Sequence, residues 1–285
     1  KISGRFGVET NQQFLFLLGI FVFLFLVISL SFRALTFYAQ VRFLSMREYS
    51  LGKKLVEGYL HQPYSWFLSR NSAEIGKTIL SEAGKIVGKG LAPLIGLITQ
   101  GAVTVALIIL LILVDPKLTL IVGLTLGIAY GLIYKFTRSY IARIGKESLK
   151  VNEWRFAALS EAFNATKEIK LGGLEQVYIK RFSDPSKILA NYKASVSIVG
   201  QIPRFALEAI TFGGMILVAL YLMSQTGTFT NAVPILALYA FAGYRLLPSL
   251  QHIYNDIILI RYTIPALDSV YDDLKSLQSY NSSEN

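Results

Sequence analysis

Long apolar runs, repeated along the chain, restrict this sequence more than any other feature. From Phe14 to Phe32 only Gly19, Ser29 and Ser31 interrupt large apolar side chains. About 20 such residues, rising 1.5 Å each, cross the ~30 Å hydrocarbon core of a bilayer. A second run extends from Leu91 to Val114 and stops at Asp115-Pro116, a turn signal. A third restarts at Leu118 and fades near Tyr134. The fourth covers Phe205 to Met223, led in by Pro203-Arg204. The polar, Gly-containing stretch Ser224 to Asn231 then leads to a fifth run, Ala232 to about Leu247. The expected fold class is all-α, a polytopic membrane helical bundle.

Charge orients that bundle. Residues 33–90 carry nine Lys/Arg against four acids, and residues 135–193 carry twelve against six. The intervening turns are short and nearly uncharged. Such a bias predicts that both long loops lie in the cytoplasm. Five spans then put the N-terminus outside and the C-terminus in the cytoplasm. The +10 net charge also suits nucleic-acid binding, but the basic residues flank apolar spans and form no stripe on a polar domain. With no Cys, disulfide scaffolds and thiolate chemistry are excluded, and His61 and His252 are too few for a His-rich metal site. The first run is too long for a signal peptide and lacks a cleavage pattern.

The spans are expected to continue as helices in water. Leu35 to Leu60 and Tyr134 to Phe163 lack Pro and repeat apolar residues every three or four positions among Lys, Arg and Glu. Two breaks follow. One is His61 to Trp66, with Asn71-Ser72 as a cap and a short helix to about Ser81. The other is Leu171-Gly172-Gly173-Leu174, a helix stop before a new start through Glu175, Gln176 and Val177. Each loop thus reads as two extended helices joined by a short one. Gly123, Gly127 and Gly131, spaced by four, are expected to form a helix-packing face, as are Gly213 and Gly214.

That arrangement resembles the transmembrane domain of ATP-binding-cassette exporters. The resemblance is carried chiefly by Glu161 to Phe182 (EAFNATKEIKLGGLEQVYIKRF) and by Tyr64 through Arg70-Asn71-Ser72 to Glu82. These look like the family's second and first intracellular loops. The resemblance implies that Ser72 to Ile79 is a first coupling helix, with Ser72, Ala73, Glu74, Ile75, Gly76 and Lys77 meeting a nucleotide-binding domain. It implies a second at about Gly172 to Val177, with Gly172, Gly173, Leu174 and Glu175 in that role. The family has six membrane helices and five are found here. Residues 1–13 look like the outer loop after a missing first helix, residues 1–275 form the domain, and 276–285 are a linker toward an absent nucleotide-binding domain. The first loop is most similar to that of bacterial lipid-linked oligosaccharide flippases.

The same resemblance implies several partners: an ATPase domain, fused or separate, holding ATP and Mg; a second copy of this domain; and the lipids of a bacterial inner membrane. No cofactor is expected in this chain. It also implies that Arg33, Arg204 and Arg245 handle a pyrophosphate. Counting from the span starts, they lie ~28, ~30 and ~20 Å below the outer boundary. An arginine at depth costs a few kcal/mol unless it meets a partner or a wet cavity, and its planar fork binds phosphate oxygens bidentately. Plainer roles compete. Arg33 can snorkel to the headgroups, and Arg204 can pair with Glu208 one turn later. Arg245 has no acid within helical reach on its own span.

Other local patterns carry less. Gly76-Lys77-Thr78 resembles the end of a P-loop, but Asn71 stands where its first Gly belongs and no strand precedes it. Leu171 to Gln176 faintly resembles an ATPase signature, yet it lies between membrane-domain helices, so no ATPase motif is expected in this chain. Asp272-Asp273 reads as a solvated linker, His252 and Asp256 as a helical hydrogen-bonded pair, and Trp66 and Trp154 as packing residues. A peptide, drug or phospholipid exporter remains an alternative. A membrane-embedded prenyl- or glycosyl-transferase is a further one, although such an enzyme needs clustered carboxylates for Mg²⁺ and the acids here are scattered among lysines.

Overall fold

The computed structural model describes residues 11–68, 70, 72–114, 116–226 and 233–283, with some side chains inside the helices left out. Among the described residues the regular elements are all helical, as the sequence leads one to expect. The chain divides into two units, residues 1–50 and 51–285. Helix α1 (Asn11–Leu60) continues across the division without a break. In the first unit its apolar side chains stand exposed around the whole circumference, among them Phe16, Phe21, Phe25, Ile28 and Phe32.

In the second unit the first break gives a short helix α2 (Tyr64–Leu68). From Ser72 the chain is helical to Val114: α3 (Ser72–Lys77), a first π-helical segment (Thr78–Glu82), α4 (Ala83–Ile86), a second π-helical segment (Val87–Leu91) and α5 (Ala92–Val114). The expected short helix therefore does not end at Ser81. Backbone angles at the junctions stay right-handed α, and the widened π turns absorb register changes that would otherwise break the rod. Pro93 lies within this rod. It has no N–H for the Lys89 carbonyl four residues back, and Thr263 Oγ1 donates to that carbonyl instead, at 3.1 Å.

Helix α6 (Pro116–Asn164) is followed by α7 (Thr166–Gly172), α8 (Glu175–Thr226) and α9 (Val233–Ser283). The expected break falls at Gly173, whose φ of +62° makes it a left-handed cap donating to the Ile169 carbonyl. Helix α8 runs through Pro185 and Pro203, so the fourth apolar run is the continuation of a longer helix and has no start of its own. Helix α9 runs through Pro248 and Pro265.

Within the second unit α9 packs on α5, α6 and α8. Its central core joins Tyr254, Ile258 and Tyr262 to Ile141 and Ile144 of α6 and Val196 of α8. A second core ties Leu55 and Tyr59, at the end of α1, to Ala83 and to Val270 and Leu277 of α9. All these residues lie outside the apolar runs. The runs turn many large side chains outward, Ile98, Leu113, Ile128 and Phe205 among them, while Leu207, Leu246 and Leu247 form a third core within them against Leu107 and Tyr130. A water-soluble fold places its apolar side chains the other way round.

Close approach is achieved by glycines different from those expected. A Cβ at Gly145 would lie 2.6 Å from the Tyr262 carbonyl oxygen, and one at Gly200 2.5 Å from Asn255 Oδ1. Gly96 faces Asp256 in the same way. At Gly123, Gly127, Gly131 and Gly213 a Cβ would meet nothing within 4 Å among the described residues. The stripe at 123–131 is thus open here, because α6 turns its packed face to α8 and α9 through the Ile141–Ile144–Gly145 side. The surroundings of Gly214 lie outside what is described.

Candidate coupling and transport sites

The two breaks form the two loop tips, and they are built differently. At the first tip Asp273 of α9 draws in two partners from far along the chain. Arg70 Nη1 donates to Asp273 Oδ1 and Tyr59 Oη donates to Asp273 Oδ2, both at 2.9 Å. The Arg70 guanidinium lies 4.6 Å from the centroid of Trp66, whose ring is 5.4 Å from that of Tyr59. Burial together with the Asp273 carboxylate raises the Tyr59 phenol above its usual range. Burial opposes the Arg70 charge, but the bond to Asp273 outweighs it and holds the guanidinium firmly protonated. Asp273 is therefore a clamp and not part of a solvated linker; its remote partners give no local pattern in the sequence.

Helix α3 enters the bundle from this tip. Lys77 is 4% exposed and pairs with Glu153 of α6 at 3.2 Å. Ala73 is buried as well, and Glu74, Ile75 and Gly76 are half-buried. The side chain of Ser72 lies outside the described residues, as does Asn71, its expected capping neighbour. One turn further, Asn152 of α6 donates to Glu82 Oε1 at 2.8 Å and to Ser81 Oγ at 3.0 Å. Trp66 packs as expected. Trp154 does not: it is 58% exposed, because α6 directs Glu153 and Trp154 away from the side that carries Val151 and Asn152.

The second tip is open. Gly172, Gly173 and Leu174 are exposed and Glu175 is half-buried. Lys170 reaches Glu175 at 3.0 Å and Arg181 reaches Glu161 at 2.8 Å, all of them largely solvated. Ile169 is the buried anchor of α7.

Of the arginines, Arg204 is exposed on α8 and its Nε donates to Glu208 Oε1 at 2.7 Å, the helical pair expected from the spacing. Arg33 is exposed on α1 in the first unit. Arg245 belongs to α9, and its side chain lies outside the described residues. His252 and Asp256 share no hydrogen bond: His252 is exposed, and Asp256 turns to Gly96 of α5.

Among the described residues, the helices Leu15–Leu60 and Ala73–Leu113 are each long and apolar enough to cross a membrane. Two such helices, with large apolar side chains outward along much of their length, point to a helical membrane protein. Residues 3–244 match the family described as ABC transporter transmembrane region, and the chain belongs to that family. Over 147 residues it is 25% identical to the ATP-dependent lipid A-core flippase of Cupriavidus pinatubonensis (strain JMP 134 / LMG 1197). The corresponding protein of Cupriavidus metallidurans (strain ATCC 43123 / DSM 2839 / NBRC 102507 / CH34) is 24% identical over the same length. Each alignment covers 52% of this chain and 25% of the relative. The matched stretch is thus a quarter of the length of these relatives.

Proposed function

We propose that this chain is the substrate-translocating domain of an ATP-driven exporter that flips a lipid, with a polyprenyl-pyrophosphate-linked oligosaccharide as the substrate class. The observation that carries the reading is the family match over residues 3–244, and the lipid A-core flippases among its relatives support a lipid cargo. The working protein pairs this domain with a second copy and with nucleotide-binding domains, fused or separate, which hold ATP and Mg. It sits in a bacterial inner membrane with both loop tips in the cytoplasm.

ATP-driven closure of the partner domains pushes on the two tips. The tip at 172–175 offers exposed backbone and a Lys170–Glu175 pair. The tip at 64–77 passes force into α6 through Lys77–Glu153 and into α9 through Arg70–Asp273. Helices some 50 residues long, α6, α8 and α9, then act as levers that open the bundle alternately to each side. Arg33, Arg204 and Arg245 meet the pyrophosphate. Arg204 is held by Glu208 at rest and exchanges that carboxylate for phosphate oxygens, which its planar fork accepts bidentately.

The test is lipid flipping in proteoliposomes containing the full-length protein, with ATP hydrolysis measured in parallel. Arg245→Ala is expected to abolish flipping while ATPase activity survives. Arg204→Ala is expected to reduce flipping strongly. Unimpaired flipping in both variants overturns the assignment of the arginines, and the peptide, drug or phospholipid reading then takes its place.

A further inference from the structure

Beside the two π-helical segments, α6, α8 and α9 leave a cavity of about 160 Å³. Four cations line it: Lys85 on α4, Lys89 in the second π-helical segment, Arg155 on α6 and Lys193 on α8. The carboxylate among the lining residues is Glu82, 1% exposed at the end of the first π-helical segment.

Glu82 is largely committed to the protein. Its Oε1 accepts from Asn152 at 2.8 Å; its Oε2 has no hydrogen-bond partner and lies 3.7 Å from Lys85 Nζ. It can balance one lysine at most. Asn152 Oδ1 in turn accepts from Arg155 Nη2 at 2.8 Å, which orients the guanidinium and leaves its other donors free for the cavity. The Tyr262 ring supports Lys85 Nζ at 4.5 Å and Lys89 Nζ at 5.5 Å from its centroid. An aromatic face is a weak counterpart for two ammonium groups. Burial pushes the pKa of both lysines down, and repulsion from Lys193 adds to this at Lys89.

Cations gathered in a half-buried space without matching acids call for an anion from outside. The donors are suited to a tetrahedral oxyanion: three ammonium groups as point charges and one guanidinium fork. A liquid water occupies about 30 Å³, so the space holds several waters or one such anion. Glu82 and Lys89 stand in the π-helical segments, with Lys85 between them on α4, and π turns within α-helices frequently accompany functional sites.

We propose that this cavity binds a phosphate group, held by Lys85, Lys89, Lys193 and Arg155. The group comes either from an anionic lipid headgroup or from a soluble phosphate. The site is separate from Arg204 and does not depend on the substrate proposed above.

The experiment uses the full-length protein in nanodiscs at constant ionic strength and reads hydrogen-exchange protection of residues 78–91. One arm titrates inorganic phosphate in phosphatidylcholine discs; the other compares phosphatidic acid discs with phosphatidylcholine discs without added phosphate. Protection in the first arm alone identifies a soluble ligand, and in the second arm alone a lipid headgroup. In the responding arm, K89Q/K193Q is expected to weaken the response by about tenfold or more, since each loses a hydrogen bond to a charged group. Lys193→Arg should retain it. Lys193→Glu, a change at an exposed rim position, should abolish it without harming the fold. Arg204→Gln should leave the response intact even where it impairs flipping. No protection in either arm, or an equal response in wild type and K89Q/K193Q, overturns the proposal.

Discussion

The two loop tips are joined to shafts of similar length, yet one is clamped and the other is left in water. At the first, Arg70 and Tyr59 converge on one carboxylate, Asp273, from 203 and 214 residues away, and Lys77 enters the bundle to reach Glu153. At the second, the ion pairs link residues 5 and 20 positions apart and are largely exposed. A clamped tip transmits force because moving it costs buried polar contacts. A solvated tip is held by little beyond its own helix ends and the buried Ile169, so its position is the less constrained. The first tip is therefore the stiffer of the two, and the second is the one free to be ordered by whatever meets it.

Removing the clamp tests that contrast most severely. Asp273→Ala strands the partly buried Arg70 and removes the acceptor of Tyr59 Oη, so it is expected to cost about 2–3 kcal/mol. It should also release hydrogen-exchange protection at residues 61–77 while leaving 164–175 unchanged. Equal release at both tips would show that they move as one body. Lys77→Met keeps the buried stem and frees Glu153, which is half-exposed and can be solvated. The expected loss is about 1–2 kcal/mol, read as a lower midpoint of thermal unfolding.

The open tip offers the smaller effects. Gly173→Ala forces a side chain into the left-handed region at φ +62° and is expected to destabilise by about 1 kcal/mol. If the function proposed above holds, its sharper consequence is weaker coupling of ATP hydrolysis to flipping, measured as the ratio of the two rates. Lys170→Ala removes an exposed pair and should change stability by no more than about 0.5 kcal/mol. A loss as large as that of Asp273→Ala would mean that the second tip is anchored as firmly as the first.

Much of the fold could be read from the residues. The apolar runs and the amphipathic periodicity beyond them gave the long helices, and Gly172-Gly173 marked the stop between α7 and α8. These signals are local, lying within a few turns of one another. The Arg204–Glu208 bond was legible for the same reason, since four residues along a helix is one turn. The failures have the opposite character. Asp273 looked like part of a polar tail because neither Arg70 nor Tyr59 is near it in sequence. The glycines at 123, 127 and 131 showed the right spacing, but spacing cannot say which face of α6 meets a neighbour. Trp154 was expected to pack and stands in solvent, whereas Gly96, Gly145 and Gly200, with no motif around them, make close helix contacts.

What the sequence alone determined is the kind of solvent each segment meets and the length of the rods. Hydropathy and helical period are sums over neighbouring residues, and no fold is needed to evaluate them. Tertiary structure decided which charges are paired and which are left over. It placed Asp273 between Arg70 and Tyr59, and it gathered Lys85, Lys89, Arg155 and Lys193 around a single buried Glu82. Electrostatic balance depends on distances of a few ångströms between side chains from different helices. Those distances exist only once α9 has settled against α5, α6 and α8.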